Sequence, residues 1–262
     1  MADTYIHGHD DSVLASHRWR SASNSAPYLL ASLRASDRIL DVGAGAGTIT
    51  RDFVQLVPEG SVVAVDRTTA IVNEAAGHDS GVIGIVADAY QLPFASRSFD
   101  IVHAHQVLQH LRYPARAVSE MARVARRHVA FADADYDKML WWPTSPLLTQ
   151  WMAIYQQIAS NNHVNPNIGR QLSELAIECG LPKHSVHTIC WTYATPELLQ
   201  WWASSWADRV LHSTYASEAL RLGLANEAEL SEIAHGWRTW ANTPGAVFVI
   251  TSIAILADLD AT

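Results

Sequence analysis

The sequence predicts an α/β protein built on a doubly wound, mostly parallel sheet of about seven strands. Three observations predict it: apolar, β-branched runs recur between residues 38 and 133, helix-compatible segments separate them, and a glycine-rich turn follows the first run. RILDVG (38–43), SVVAVD (61–66), GVIGIVAD (81–88), FDIVHAH (99–105) and HVAFAD (128–133) read as parallel strands buried on both faces. Helices are predicted at about 46–57, 69–78 and 114–126. Right-handed crossovers put such helices on both faces of the sheet, a Rossmann-like arrangement. The link 89–98, AYQLPFASRS, carries a proline and small polar residues and reads as a loop.

Upstream, 10–35 reads as one or two helices broken near SASNSAP, with Pro27 in a first helical turn. Downstream, 137–165 and 195–243 read as helical and rich in tryptophan, with further strands at about 184–193 and 246–257. No repeat or low-complexity linker divides the chain. The expected organisation is an N-terminal helical arm over 1–36 and one domain over 37–262, with helical insertions at about 137–165 and 195–243.

Composition excludes several classes. The chain has 262 residues, 49% hydrophobic and 17% charged, enough for a sizeable core and too apolar for disorder. No apolar run reaches the ~18 residues that cross a bilayer. A net charge of −8 without a Lys/Arg stripe makes a poor partner for nucleic acid or an anionic membrane. The densest basic cluster, ARVARRH (122–128), reads as the charged end of a surface helix. Cys179 and Cys190 are too few for a disulfide framework, and MADTYIHGHDD lacks the regions of a signal peptide, so a cytoplasmic protein is expected. The pairs His7/His9 and His103/His105 lack any Cys₂His₂ or H-E-x-x-H pattern, and no metal is expected.

The glycine turn decides between cofactors. A dinucleotide fingerprint, G-x-G-x-x-G, needs its third glycine for close helix–strand packing. Counted from Gly43 that position is Thr48, and from Gly45 it is Thr50, so the fingerprint fails in both registers and argues against an NAD(P)-dependent oxidoreductase. What stands here is an acid, one residue, then three glycines at alternate positions: Asp41-Val42-Gly43-Ala44-Gly45-Ala46-Gly47.

LDVGAGAGTIT resembles motif I of the class I S-adenosylmethionine (SAM) dependent methyltransferases. VVAVDRT is similar to their second strand, which ends in the acid that holds the ribose, and VADAYQLPFASRSFDIVHAHQVLQHL resembles the third and fourth strands of the ubiquinone/menaquinone-biosynthesis-like branch. The similarity spans roughly 10–133, and the tail beyond 133 matches the quinone-pathway enzymes poorly. It implies a sheet whose last strand is antiparallel, SAM as cofactor and S-adenosylhomocysteine (SAH) as product. Asp66, beside Arg67, is then expected to accept both ribose hydroxyls. Asp88 is expected to accept from the adenine amine while the Ala89 amide donates to a ring nitrogen. Asp41, Gly43, Ala44, Gly45 and Gly47 form the loop around the methionine end, with His105 beside it and Arg18 pairing with the carboxylate.

Methyl transfer from a sulfonium is an in-line displacement, helped by alignment and by exclusion of water. It requires a base only for a poorly acidic acceptor. His105 and Tyr136 are the catalytic candidates, at the carboxyl edge of the sheet where ligands bind. Tyr5, Trp142, Tyr193 and Trp202 are the candidate walls of an apolar acceptor pocket, the insertions serving as a lid. The expected function is methylation of oxygen or nitrogen, with carbon as a further option, on a small, partly apolar secondary metabolite. A homodimer is the assembly considered. The rival is a SAM-binding protein of the same fold that methylates nothing, acting as a pericyclase-like catalyst or a scaffold.

Overall fold

A computed structural model describes residues 18–77 and 80–259 of the chain. The predicted runs form β1 (Arg38–Val42), β2 (Ser61–Asp66), β3 (Val82–Val86), β4 (Phe99–His105) and β5 (Ala125–Ala134), all parallel, in the order β3-β2-β1-β4-β5. The β-branched residues of β1, β2, β4 and β5 are buried because helices cover the sheet on both sides, while Ile83 and Val86 on the edge strand β3 are exposed. One apolar cluster joins Val102, Val129 and Phe131 to α5 (Pro114–Val124) and α7 (Leu172–Glu178). A second joins Ile39, Ile101 and Ala130 to α1 (Ala22–Ser25), α2 (Pro27–Leu30) and α3 (Thr48–Leu56). α4 (Thr69–Ala75) lies between β2 and β3 in sequence.

The chain divides into two compact units. The first holds residues 18–134, 168–189 and 252–259, hence the parallel sheet and its helices. The last strand, β8 (Val247–Asp258), pairs antiparallel with β5 over Ser252–Asp258, and β7 (His184–Tyr193) pairs with β8. An antiparallel last strand is what the motif resemblance implied.

The second unit holds 135–167 and 190–251. Its helices are α6 (Pro146–Asn161), α8 (Pro196–His212), α9 (Thr214–Arg221) and α10 (Glu227–Ala241). Their starts are chemically marked: Ser145 and Thr195 accept from amides three residues on, and Asn226 forms a capping box with Glu229. Trp151, Trp206 and Trp237 are fully buried among them, and Gly236 lets α10 close on Leu147, which a Cβ would meet at 2.6 Å. No helix among the described residues is long and apolar enough to cross a membrane.

Two local readings are corrected and a third is located more finely. Trp141 and Trp142 lie in a short strand, β6 (Leu140–Trp142), not in a helix, because Trp141 pairs with Phe248 of β8, a partner over a hundred residues away. The break expected near SASNSAP falls at Ala26, after a short helix over Ala22–Ser25 capped by Ser21, and Pro27 opens α2 as expected. The ARVARRH cluster is the end of a helix and the start of a strand. Arg126 pairs with Asp100, and Arg127 is buried against Asp37 at 2.6 Å.

Candidate cofactor site

Where β1 ends, the chain makes three left-handed residues, Gly43, Gly45 and Gly47, with φ of 69°, 54° and 72°. A side chain there costs about 1–2 kcal/mol per residue. Packing adds a second requirement. A Cβ on Gly43 would sit 2.5 Å from Val107 Cγ2, and one on Gly47 would sit 2.5 Å from the Ala75 Cα. The amides of Gly43 and Ala44 both donate to the Val65 carbonyl, at 2.7 and 3.1 Å, so the loop curls towards β2 before Gly47 opens α3.

Beneath this loop Asp41 is buried and fully engaged. Its Oδ2 accepts from Thr50 Oγ1 at 2.5 Å, and its Oδ1 accepts from His103 Nδ1 at 2.8 Å. The His103 ring in turn meets Phe53 edge-on at 5.1 Å. Asp41 thus ties β1 to α3 and β4, which fixes the floor of the loop.

Asp66 and Asp88 stand at the carboxyl ends of the next two strands. Each uses one oxygen to turn its own backbone: Asp66 Oδ1 accepts from the Thr68 amide at 3.1 Å, and Asp88 Oδ1 accepts from the Tyr90 amide at 2.9 Å. The second oxygen of each accepts no hydrogen bond among the described residues. Two oriented carboxylates with spare acceptor capacity suit the hydroxyls and the amine of a nucleoside. Arg67 is exposed, and Ala44 and Ala89 are half-buried.

A third group closes the edge after β4. Gln106 holds a left-handed φ of 53°, its amide donates to the Ala132 carbonyl at 2.7 Å, and its side-chain oxygen accepts from Arg20 at 2.8 Å. His105 is buried, and burial, with Arg20 and His103 nearby, holds its imidazole neutral, well below the usual histidine range. Burial likewise pushes His110 down to about 3, with Arg20 and Arg67 assisting. Asp133, wholly buried, accepts from the amides of Leu108 and Gln109 at 3.2 and 3.1 Å, while burial pushes its carboxyl up to about 7.

Among the described residues, the remaining sequence candidates belong to both units. Arg18 is exposed and paired with Glu74 at 2.9 Å. Tyr5 lies outside the described residues, as do His7, His9 and the first seventeen residues of the arm. In the second unit Tyr136 is buried and stacked on Tyr155 at 4.7 Å, Tyr193 and Trp202 are buried and stacked at 4.6 Å, and Trp142 is 63% exposed. Sequence reasoning did not single out Arg20 or Gln106. Gln106 lies inside the stretch that ends at HAHQVLQHL, but nothing in it marks a pairing with Arg20 across 86 residues. Among the described residues no three His, Cys, Asp or Glu side chains converge as for a metal ion.

A doubly wound sheet with a left-handed glycine loop and two strand-end acids defines a nucleoside-cofactor protein of the class I type. Comparison sharpens this. A family described as methyltransferase domain matches residues 40–132. An uncharacterised methyltransferase of Schizosaccharomyces pombe is 31% identical over 94% of this chain and 93% of its own length. A ubiquinone/menaquinone biosynthesis C-methyltransferase of Pseudomonas paraeruginosa is 32% identical over 46% of this chain and 48% of its own length, so the chain spans about half of that relative. Among solved structures, a Bacillus halodurans protein shares the fold with a TM-score of 0.57 at 21% identity, covering 94% and 98% of the two chains. A Haemonchus contortus phosphoethanolamine N-methyltransferase solved with SAH has a TM-score of 0.50 at 17% identity, over 85% of this chain and 49% of that one. The chain belongs to the class I SAM-dependent methyltransferases.

Proposed function

We propose that this enzyme methylates oxygen or nitrogen, with carbon as a further option, on a small, partly apolar metabolite. The observation that carries the proposal is the pairing of a left-handed glycine loop with the spare oxygens of Asp66 and Asp88 at successive strand ends. Asp66, beside Arg67, would hold the ribose. Asp88 and the Ala89 amide would hold the adenine, and residues 43–47 over Asp41 would hold the methionine end. SAM supplies an electrophilic methyl group. The chain's own residues bind, orient and keep water away.

His105 is proposed to orient the acceptor. A buried imidazole kept neutral is a hydrogen-bonding group with little proton affinity, so its contribution is alignment. Tyr136 is proposed as a second orienting group, and Tyr5, Trp142, Tyr193 and Trp202 as acceptor contacts. Arg18 would exchange its exposed partner Glu74 for the cofactor carboxylate, a change that costs little because such surface pairs contribute roughly 0–1 kcal/mol. The arm over 1–36 is proposed to cover the cofactor. We infer a setting without nucleic-acid or anionic-membrane partners from the acidic charge and the lack of a basic stripe, and propose a homodimer in the cytoplasm as the assembly to test. The named activities of the relatives, one on carbon and one on nitrogen, support the reaction class and leave the acceptor to experiment.

Incubation with methyl-labelled SAM and pooled small metabolites, read by mass spectrometry, tests the proposal. Equal amounts of SAH and a singly methylated product are expected. A product formed while SAM stays intact would establish the non-methylating alternative instead. His105→Ala is expected to lower turnover about tenfold, as loss of one orienting hydrogen bond, with SAH affinity nearly unchanged by calorimetry. An equal loss of both would place His105 in the cofactor shell.

A further inference from the structure

We propose that Asp133 is a positioning residue for the cofactor loop, acting through the turn at Leu108–His110 and the side chain of Val107. The inference rests on the cofactor reading given above and extends it to residues that do not touch the site directly.

The argument is geometric. After β4 the chain must reverse at once, and it does so through Gln106 in a left-handed conformation that a non-glycine residue adopts only when its neighbours enforce it. The enforcement is visible on both sides of the turn. The Gln106 amide is held by Ala132, and the amides of Leu108 and Gln109, with the Val107 amide beside them, converge on the single carboxyl of Asp133. Asp133 is therefore the end-cap of a one-turn 3₁₀ helix supplied from another strand. The turn's own cap residue, Val107, has no acceptor side chain, so the cap comes from β5.

What the clamp positions is Val107. Its Cγ2 occupies the space a Cβ on Gly43 would fill, 2.5 Å from that position, so the turn presses directly on the first residue of the glycine loop. A turn that drifted by a few tenths of an ångström would move this wall of the loop. The path runs from the Asp133 carboxyl through two amides and one valine to Gly43, entirely within the first unit.

Protonation supplies a readout that a merely space-filling residue lacks. An ionised carboxylate accepts from the two amides more strongly than a neutral acid does. The charged and titratable groups around Asp133 are Arg20 before α1, Tyr28 on α2, whose phenol burial keeps protonated, and His110 on the clamped turn. His105 stands on neighbouring β4, and the 3₁₀ turn Ile168–Gln171, whose Gly169 packs on the Asp133 carbonyl, carries Arg170, which is exposed. Neither His105 nor His110 gains a proton near neutrality. Asp133 is the member of this group whose carboxyl changes charge there.

The test measures SAH affinity by calorimetry on the full chain, without turnover. Asp133→Asn keeps the size and one acceptor oxygen, and is expected to weaken SAH binding about five- to tenfold. Wild-type affinity is expected to rise about threefold from pH 6 to pH 8, and the Asp133→Asn variant to be flat over that range. Val107→Ala, which leaves the clamp intact, is expected to weaken SAH by a similar factor, and the double variant to be no weaker than the worse single one. Wild-type affinity for SAH in Val107→Ala overturns the proposal even if Asp133→Asn fails to fold. Fully multiplicative losses in the double variant, or an unaltered pH slope in Asp133→Asn, also overturn it. Asp66→Ala separates the two readings: loss of SAH there with none in the Asp133 and Val107 variants rejects the clamp and keeps the cofactor site. A wild-type chain that binds no SAH rejects both.

Discussion

The glycine loop of the first unit and the aromatic bundle of the second are made from opposite ends of the amino-acid range. The loop uses the smallest side chains, and each is demanded by a positive φ or by an atom where a Cβ would stand. Its order comes from backbone amides on Val65 and from a buried carboxylate below. The bundle uses the largest side chains. Trp151 meets Trp206 at 4.5 Å and Trp237 at 4.9 Å, both edge-to-face, while Tyr193 stacks on Trp202. At 150–250 Å² per ring and ~25 cal/mol per Å², each such residue contributes roughly 4–6 kcal/mol of transfer free energy. One region is thus specified by what must be absent, the other by what must be present, and perturbation should separate them.

The largest effect is expected in the bundle. Trp151→Ala removes a fully buried ring with three aromatic neighbours and should cost about 3–5 kcal/mol in denaturant unfolding. A cost near 1 kcal/mol would show that the bundle repacks freely and that its rings are not a single interlocked core. Tyr215 donates to the Trp151 backbone carbonyl, so that hydrogen bond survives the truncation and does not confuse the reading.

The second effect belongs to the first unit and has a pH signature. Asp133 is buried, and burial raises its carboxyl to about 7. Below about pH 4 the folded and unfolded chains both keep the proton, and the contribution to stability is whole. As the pH rises to about 7 the unfolded chain has already released its proton, and stability is lost across that window. Relative to Asp133→Asn, the wild-type chain should therefore lose unfolding free energy between about pH 4 and pH 7, and little more above it. Parallel pH curves for the two proteins would mean that Asp133 titrates normally.

The third effect concerns binding alone. Asp66→Ala should weaken SAH by about 1.5–3 kcal/mol through lost charge-assisted hydrogen bonds, with unfolding nearly unchanged apart from the small turn bond to Thr68. Calorimetry checks the first statement and a urea titration the second. Unchanged affinity would remove Asp66 from the site.

The same contrast explains what could be read from the chain. The loop was legible because its requirements are local: Gly43, Gly45 and Gly47 announce positive φ in place, and Asp66 and Asp88 sit at the ends of runs that are themselves strands. The failure of the dinucleotide fingerprint at Thr48 was equally local, since that residue opens α3 directly after Gly47. Long-range pairings left no such mark. Three residues of β6 are too few to display alternation, and their partner Phe248 lies in another segment. The buried Arg127–Asp37 pair spans 90 residues, and its arginine belongs to a cluster that reads as surface charge. Asp133 was visible as a strand-end acid. Its hold on the amides of Leu108 and Gln109 was not, because backbone amides have no signature in a sequence.

The smallest effect on stability is expected at Trp142, and it decides how the bundle's tryptophans divide between packing and function. Trp142 lies in β6 beside Trp141, yet Trp141 stacks on Phe248 at 6.1 Å while Trp142 is 63% exposed. An exposed indole adds little to folding, so Trp142→Ala should change unfolding free energy by no more than about 0.5 kcal/mol. If Trp142 contacts the acceptor as proposed, the same substitution should raise the acceptor's KM several-fold with SAH affinity unaltered, using the acceptor that the methyl-labelling screen yields. A raised KM with intact stability makes the exposed ring a binding residue, since packing cannot produce that combination. An unchanged KM returns Trp142 to the surface and confines the bundle's tryptophans to the role Trp151 exemplifies.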